Sequence, residues 1–411
     1  MKNDVLIIYG SLNSVPSPEG AAPAKVIYET VETLNNKAFK VLSNYNPRLN
    51  QESYNKEVYL HVKSNRFDAL VLLILKLRYP FKKRKQKFTT GSDKQLLYFI
   101  SVCRFLLFKK HKKIVVHVSV GLVTMIKLFL PSRKVVYFHH GTSLHKKYDE
   151  QQWCQLISNC EAIFSVNKRA LEMANQTFKK QLEPSRYFAI PNAIIPKVTL
   201  SQAVDYYKNR PYDEHVFVFA FSGRICIEKG VLNLLHAFKN VHDINHDVHL
   251  VVFGAAGTRG THEIKTEYLL DCKAFAESQN IPVTFTGFLP NEDLLKGLSQ
   301  VDVLILPTDT KHYEEGMPLS LIEAMSLSKP LIATNSGGSS EILNDGQNGI
   351  LITSNPYIDE LTKAMLNLSS NKELYAKFSK TAYTSYIENH SYESYNKAFI
   401  KALKAINFFD E

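Results

Sequence analysis

Two glutamates, Glu315 and Glu323, stand eight residues apart in the stretch Glu314-Glu315-Gly316-Met317-Pro318-Leu319-Ser320-Leu321-Ile322-Glu323-Ala324-Met325. Proline suits a first helical turn, where its missing N–H would have had no partner, so a helix is expected to begin at Pro318. Glu315 then precedes the helix and Glu323 lies on its second turn. The N–H groups near Leu319 and Ser320 are left unpaired at the positive end of the helix dipole, a place that suits a phosphate. Gly316 lets a ligand come close to the backbone, and Met317 lies between them. Two carboxylates beside an anion site fit a ligand with hydroxyls on both sides of a phosphate group, and a sugar nucleotide is such a ligand.

A second cluster, Phe221-Ser222-Gly223-Arg224-Ile225-Cys226-Ile227-Glu228-Lys229-Gly230, closes an apolar run and precedes a helical pattern starting at Val231. Gly223 permits close approach, and Arg224 and Lys229 put two cations at a strand's carboxyl end, where open α/β sheets bind ligands. Together they could clamp a diphosphate; alone they would read equally well as surface charges. A third, Tyr137-Phe138-His139-His140-Gly141, ends a strand in the first half of the chain. By contrast His242, His246 and His249 have ligand-like spacing but straddle the entry to a strand and have no cysteine nearby. No D-x-D triplet occurs, so the reading is of no bound metal and no cofactor, the diphosphate being neutralised by Arg224, Lys229 and a helix N-terminus.

Apolar runs of strand length alternate with helical patterns throughout, which is how parallel sheets covered on both faces read. Strands are expected at Val5–Tyr9, Phe39–Leu42, Val58–Val62, Ile114–Val118, Val135–Phe138, Ala162–Val166 and Tyr187–Ile190. A second series follows at Val216–Phe221, Val248–Phe253, Val283–Thr286, Val303–Leu306, Leu331–Thr334 and Ile350–Thr353. Two doubly wound units in tandem result, and 411 residues are enough for each to bury its own core. The expected division is a domain over 1–200, a polar linker over 201–214 containing Pro211, a domain over 215–390, and a C-terminal helix over 391–411 that packs back toward the first.

The charge is divided unevenly. Residues 1–200 hold 32 Lys and Arg against 13 Asp and Glu, while the remainder holds 18 against 26. A strongly basic half suggests a polyanion partner, and the Leu- and Phe-rich helical patterns Asp68–Pro80 and Lys94–Lys110, next to Lys82-Lys83-Arg84-Lys85 and Lys109-Lys110, point to peripheral contact with an anionic membrane. Nucleic acid is disfavoured because no reader motif accompanies the charge. No run is apolar for the roughly 18 residues a membrane span needs. The N-terminus reads as a first strand rather than a signal peptide, and the five scattered cysteines read as free thiols; both suit a cytoplasmic protein on the inner face of the cell membrane.

Taken together, Gly223-Arg224 with Lys229-Gly230, Pro307-Thr308, Glu315-Gly316 with Glu323-Ala324-Met325, and Gly337-Gly338 with Glu341 resemble the retaining glycosyltransferase family 4, of the bacterial surface-polysaccharide type. The resemblance implies the GT-B fold: α/β, two doubly wound Rossmann-like domains facing a cleft, with C-terminal helices. It implies that Arg224 and Lys229 hold the diphosphate of a nucleotide-sugar donor, UDP-linked by family frequency, that Glu323 accepts hydrogen bonds from ribose hydroxyls and that Glu315 contacts the donor sugar. Phe285-Thr286-Gly287-Phe288 resembles the turn beside the base. His140, with His139 as the fallback, matches a histidine in contact with the transferred sugar, and His312 could reach the donor. The first turn departs from the family's paired glycines: Gly10 is followed by a longer insert before Gly20, which takes over the phosphate approach in this reading. No carboxylate of the first half stands out as a nucleophile, so the resemblance implies front-face attack onto a lipid-linked or glycan acceptor. Rival readings are another GT-B enzyme, such as a sugar-nucleotide epimerase or phosphorylase, and a non-catalytic glycan-binding subunit.

Overall fold

The computed structural model describes residues 4–17, 22–49, 54–141, 144–259, 262–263, 266–311, 313–354 and 356–409. The chain forms two compact units, one of Met1–Asn192 with Tyr395–Glu411 and one of Ala193–Ser394.

In the first unit the strands are β1 (Val5–Tyr9), β2 (Phe39–Asn44), β3 (Tyr59–Val62), β4 (Lys113–His117), β5 (Lys134–His139), β6 (Ala162–Ser165) and β7 (Tyr187–Ala189). They lie in the order β3-β2-β1-β4-β5-β6-β7, every pair parallel. β1 is buried along its whole length, as an apolar run with helices on both faces must be. The second unit repeats the pattern with β8 (Phe217–Ser222), β9 (Val248–Phe253), β10 (Val283–Gly287), β11 (Val303–Leu306), β12 (Leu331–Thr334) and β13 (Gly349–Ile352). Its order is β10-β9-β8-β11-β12-β13, again all parallel. In both sheets the order reverses beside the first strand, between β1 and β4 and between β8 and β11. At such a point neighbouring loops part to opposite faces and leave a crevice at the strands' carboxyl ends.

Two sequence expectations change. The segment 201–214 contains the Leu200–Lys208 helix, started by a Thr199 capping box, and belongs to the second unit. The reason is Asp302, which is 3% exposed and needs partners. It accepts from Tyr207 Oη at 2.5 Å, Arg210 Nη1 at 2.8 Å and Val218 N at 2.7 Å, so this polar stretch braces the sheet. The Asp93–Phe108 helix is largely core, with Leu96, Phe99, Val102 and Leu106 buried and only Leu107 and Phe108 strongly exposed among its apolar residues. The basic stretch after Pro80 is itself a helix, Phe81–Phe88, anchored by buried Phe88. The Tyr392–Ala405 helix carries the chain back into the first unit, where Phe399 packs on Phe39 and Phe164, each ring centroid 6.1 Å away.

Candidate functional site

In the second unit, Gly223-Arg224 follow β8 and Pro307-Thr308 follow β11, so the strand order brings both loops to the reversal point. Gly230 sits in the left-handed region at φ 67°, and a Cβ there would fall 2.0 Å from the Pro307 carbonyl oxygen. Glycine therefore allows the two loops to touch. That contact sets Lys229 against Glu315: Nζ lies 2.5 Å from Oε1, and Thr308 Oγ1 donates to the same oxygen at 2.5 Å. The side chains are 14% and 5% exposed, so this is a nearly dry ion pair whose carboxylate has two short donors. The Lys229 ammonium also lies 5.2 Å from the Tyr313 ring centre. Burial raises the Tyr313 pKa, Glu315 adds to the rise and Arg224 opposes it, so the exposed Arg224 guanidinium belongs to the same cluster.

The Glu315 backbone is fixed as firmly as its side chain. Its N–H donates to Ser336 Oγ at 3.2 Å and its carbonyl accepts from Gly338 N at 2.8 Å. A Cβ on Gly338 would lie 1.8 Å from the Gly316 oxygen, which explains the small residues after β12. The helix expected at Pro318 runs over Leu319–Ser326, with Pro318 as its N-cap and no side-chain cap. Its leading N–H groups therefore lack the usual capping oxygen. Glu323, half-buried on the second turn, accepts from Asn291 Nδ2 at 3.0 Å. Gly287 pairs with Gly254, whose N–H it accepts at 3.1 Å, while Phe288 beyond it is 66% exposed.

The first unit holds a separate group at its own reversal point. His140 is half-buried, stacked on Phe138 at 4.7 Å, with Nε2 2.7 Å from Nδ1 of His117. His139 points elsewhere: it is 4% exposed, with Nδ1 3.3 Å from the Tyr137 hydroxyl. Burial, reinforced by the Lys147 charge, lowers the pKa of both His139 and His140 to about 3, and burial with the His140 charge holds His117 well below its usual range. All three rings are neutral near pH 7, so in the His117–His140 contact one nitrogen donates and the other accepts. Beside them Val118 adopts φ 76°, and Ser119 N donates to His117 O at 3.0 Å across it. A β-branched residue in this region costs about 1–3 kcal/mol and is characteristic of functional turns. The strained turn borders a cavity of about 320 Å³ whose lining includes Gly10, Ser119, Lys85, Lys147 and Tyr148.

Asn291, Tyr313, Ser336 and His117 are the residues that sequence reasoning passed over. His117 carried a signal, since it ends the strand that a doubly wound order sets beside β5. Gly20 and His312 lie outside the described residues. The histidines 242, 246 and 249 do not converge: His242 faces His246 edge-on at 5.0 Å, while His249 Nε2 lies 2.9 Å from Thr284 Oγ1.

Two parallel Rossmann-type sheets with this strand order, each with polar groups at its reversal point, define a protein of GT-B type. In agreement, the crystal structure of Anabaena Alr3699/HepE in complex with UDP superposes with a TM-score of 0.70, covering 98% of this chain and 100% of that one at 14% identity. Residues 207–385 match the family of glycosyl transferases group 1, so this stretch of the second unit is similar to that family. The lipopolysaccharide 1,2-N-acetylglucosaminetransferase of Salmonella typhimurium is 23% identical over 292 residues, 67% of this chain and 74% of that enzyme. The alpha-maltose-1-phosphate synthase of Mycolicibacterium smegmatis is 26% identical over 219 residues, 50% of this chain and 52% of that one. The chain thus spans only about half the length of the second relative.

Proposed function

We propose that the protein is a retaining glycosyltransferase of family 4 that moves a sugar from a UDP-sugar to a lipid-linked or surface-polysaccharide acceptor, without a divalent metal, at the cytoplasmic face of a membrane. The observation that carries this reading is the Lys229–Glu315–Thr308 group with Arg224 beside it, at the reversal point of the second sheet. Breaking the glycosidic bond leaves negative charge on the departing diphosphate. Lys229 is already balanced by Glu315, so the pair contributes aimed hydrogen bonds more than net charge. Arg224 and the N–H groups at Leu319 and Ser320 carry the electrostatic work. Glu323, oriented by Asn291, takes the ribose hydroxyls, and Glu315 takes hydroxyls of the sugar. His140, neutral at pH 7, acts as a hydrogen-bonding contact to the sugar rather than as a charge.

On the acceptor side, the cavity of the first unit has two lysines, Lys85 and Lys147, in its lining, which favours an acceptor bearing phosphate. The UDP held by the HepE structure and the lipopolysaccharide substrate in the name of the Salmonella relative support the same choice of donor and acceptor class. Donor hydrolysis across a panel of nucleotide sugars tests the proposal. Turnover of one UDP-sugar in the presence of a chelator is expected, and no hydrolysis of any donor would overturn it. NMR of the product linkage tests retention, and an inverted anomer would exclude it.

A further inference from the structure

The Arg66–Arg78 helix is apolar on two opposite faces. Leu72, Leu75 and the Asp68 side chain point inward, while Phe67, Leu70, Leu73, Ile74 and Leu77 are all more than half exposed, Leu77 at 79%. At 100° per residue these five fall within one stripe about 120° wide, on the side away from the core. A helix that is hydrophobic all round is ordinarily buried all round, and this one has an unpartnered face. The helix runs antiparallel to Asp93–Phe108, tied by Lys76–Asp93 at 2.5 Å at one end and Arg104–Asp68 at 2.9 Å at the other. Exposed Leu107 and Phe108 therefore extend the stripe at its Arg66 end, and exposed Phe81 extends it at the Arg78 end.

Cations gather at both ends: Arg66, Lys109, Lys110 and Lys112 at one, Arg78, Lys82 and Lys83 at the other, all exposed. Residues 63–113 contain 15 Lys and Arg against two acids, Asp68 and Asp93, both engaged in the ion pairs above. A second copy of this chain would set one basic rim against another like it, since a twofold contact pairs the same patch with itself. A leaflet of anionic lipid satisfies both features, taking the Leu and Phe side chains among its acyl chains and the lysines among its head groups.

We infer that the outer face of the Arg66–Arg78 helix, with Phe81, Leu107 and Phe108, is a membrane-docking surface that inserts into an anionic leaflet. The inference extends, and rests on, the proposed lipid-linked acceptor, but vesicle binding is read without any donor, so the two can fail separately. The test is co-sedimentation of the purified full chain with phosphatidylcholine vesicles, with and without about one-third phosphatidylglycerol, at low and high salt. Binding to the anionic vesicles that weakens with salt is expected. Leu73→Ser/Leu77→Ser and Lys82→Glu/Lys83→Glu should each weaken binding at least about tenfold. Hydrolysis of the soluble donor should stay within about twofold of wild type, since none of these residues belongs to the proposed donor site in the second unit. Absence of binding to anionic vesicles at low salt would overturn the inference, as would undiminished binding by both variants. So would light scattering showing a wild-type dimer that Leu73→Ser/Leu77→Ser converts to a monomer, because the face would then belong to a second copy.

Discussion

Lys229 and Glu315 are 86 residues apart in sequence and 2.5 Å apart in space, both nearly excluded from water. Removing one partner of such a pair strands a buried charge and costs about 3–5 kcal/mol, while removing both removes the problem as well as the attraction. Glu315→Ala is therefore expected to be far less stable than wild type, and Lys229→Ala/Glu315→Ala more stable than the sum of the single losses. Urea unfolding of the four proteins measures the coupling; strict additivity would mean that the pair is not formed in solution.

Arg224 offers a separation of function from folding. Its side chain is exposed, so Arg224→Ala should leave the thermal midpoint almost unchanged. Loss of a cation aimed at developing charge is expected to lower turnover about 100-fold or more. Lys229→Ala should show a similar loss of rate, together with the loss of stability that Arg224→Ala lacks. A near-normal rate in Arg224→Ala would exclude its role at the diphosphate.

Asn291 holds Glu323 and is placed to act through it. Asn291→Ala should raise the KM for the nucleotide sugar several-fold with little change in kcat, because ribose contacts are equally present before and during bond cleavage. Steady-state kinetics with varied donor provides the measurement; an equal fall in kcat and kcat/KM would instead place Asn291 nearer the reacting bond.

The first unit should be acid-sensitive for a definite reason. His139 and His140 have folded pKa values of about 3 against 6.5 for an ordinary histidine, and His117 is shifted in the same direction. Between those values the unfolded chain binds protons that the folded chain does not. Their contribution is complete above about pH 6.5 and is lost as the pH falls, by up to roughly 1.4 kcal/mol per pH unit for each ring. His140→Gln removes one of these protons, so its urea stability should fall less steeply between about pH 6.5 and pH 5 than that of the wild type. Equal slopes would show that His140 titrates normally.

Parallel strands in covered sheets are legible because every strand residue must be apolar, and β1, β9, β11 and β12 start and stop where the sequence pattern says. The turn chemistry was legible too: Pro318 and the Gly337-Gly338 pair announce the loops that the structure joins. What local pattern cannot give is which distant loop a side chain meets. Lys229 reads as a free cation until β8 and β11 become neighbours, and only then does Glu315 lie opposite it. The 201–214 stretch failed for the same reason, since its polarity looked like a linker until Asp302 supplied a buried carboxylate for Tyr207 and Arg210 to satisfy.

The return of the chain to the first unit has a consequence for the order of folding. Phe399 and Phe409 lie against Phe39, and Phe399 also lies against Phe164, so an aromatic part of that unit's core waits for residues made after the whole second unit. The ribosome delivers all of Ala193–Ser394 first. The second unit can fold as soon as it has emerged, while the first, although started earlier, is finished last, with its phenylalanines uncovered in the interval.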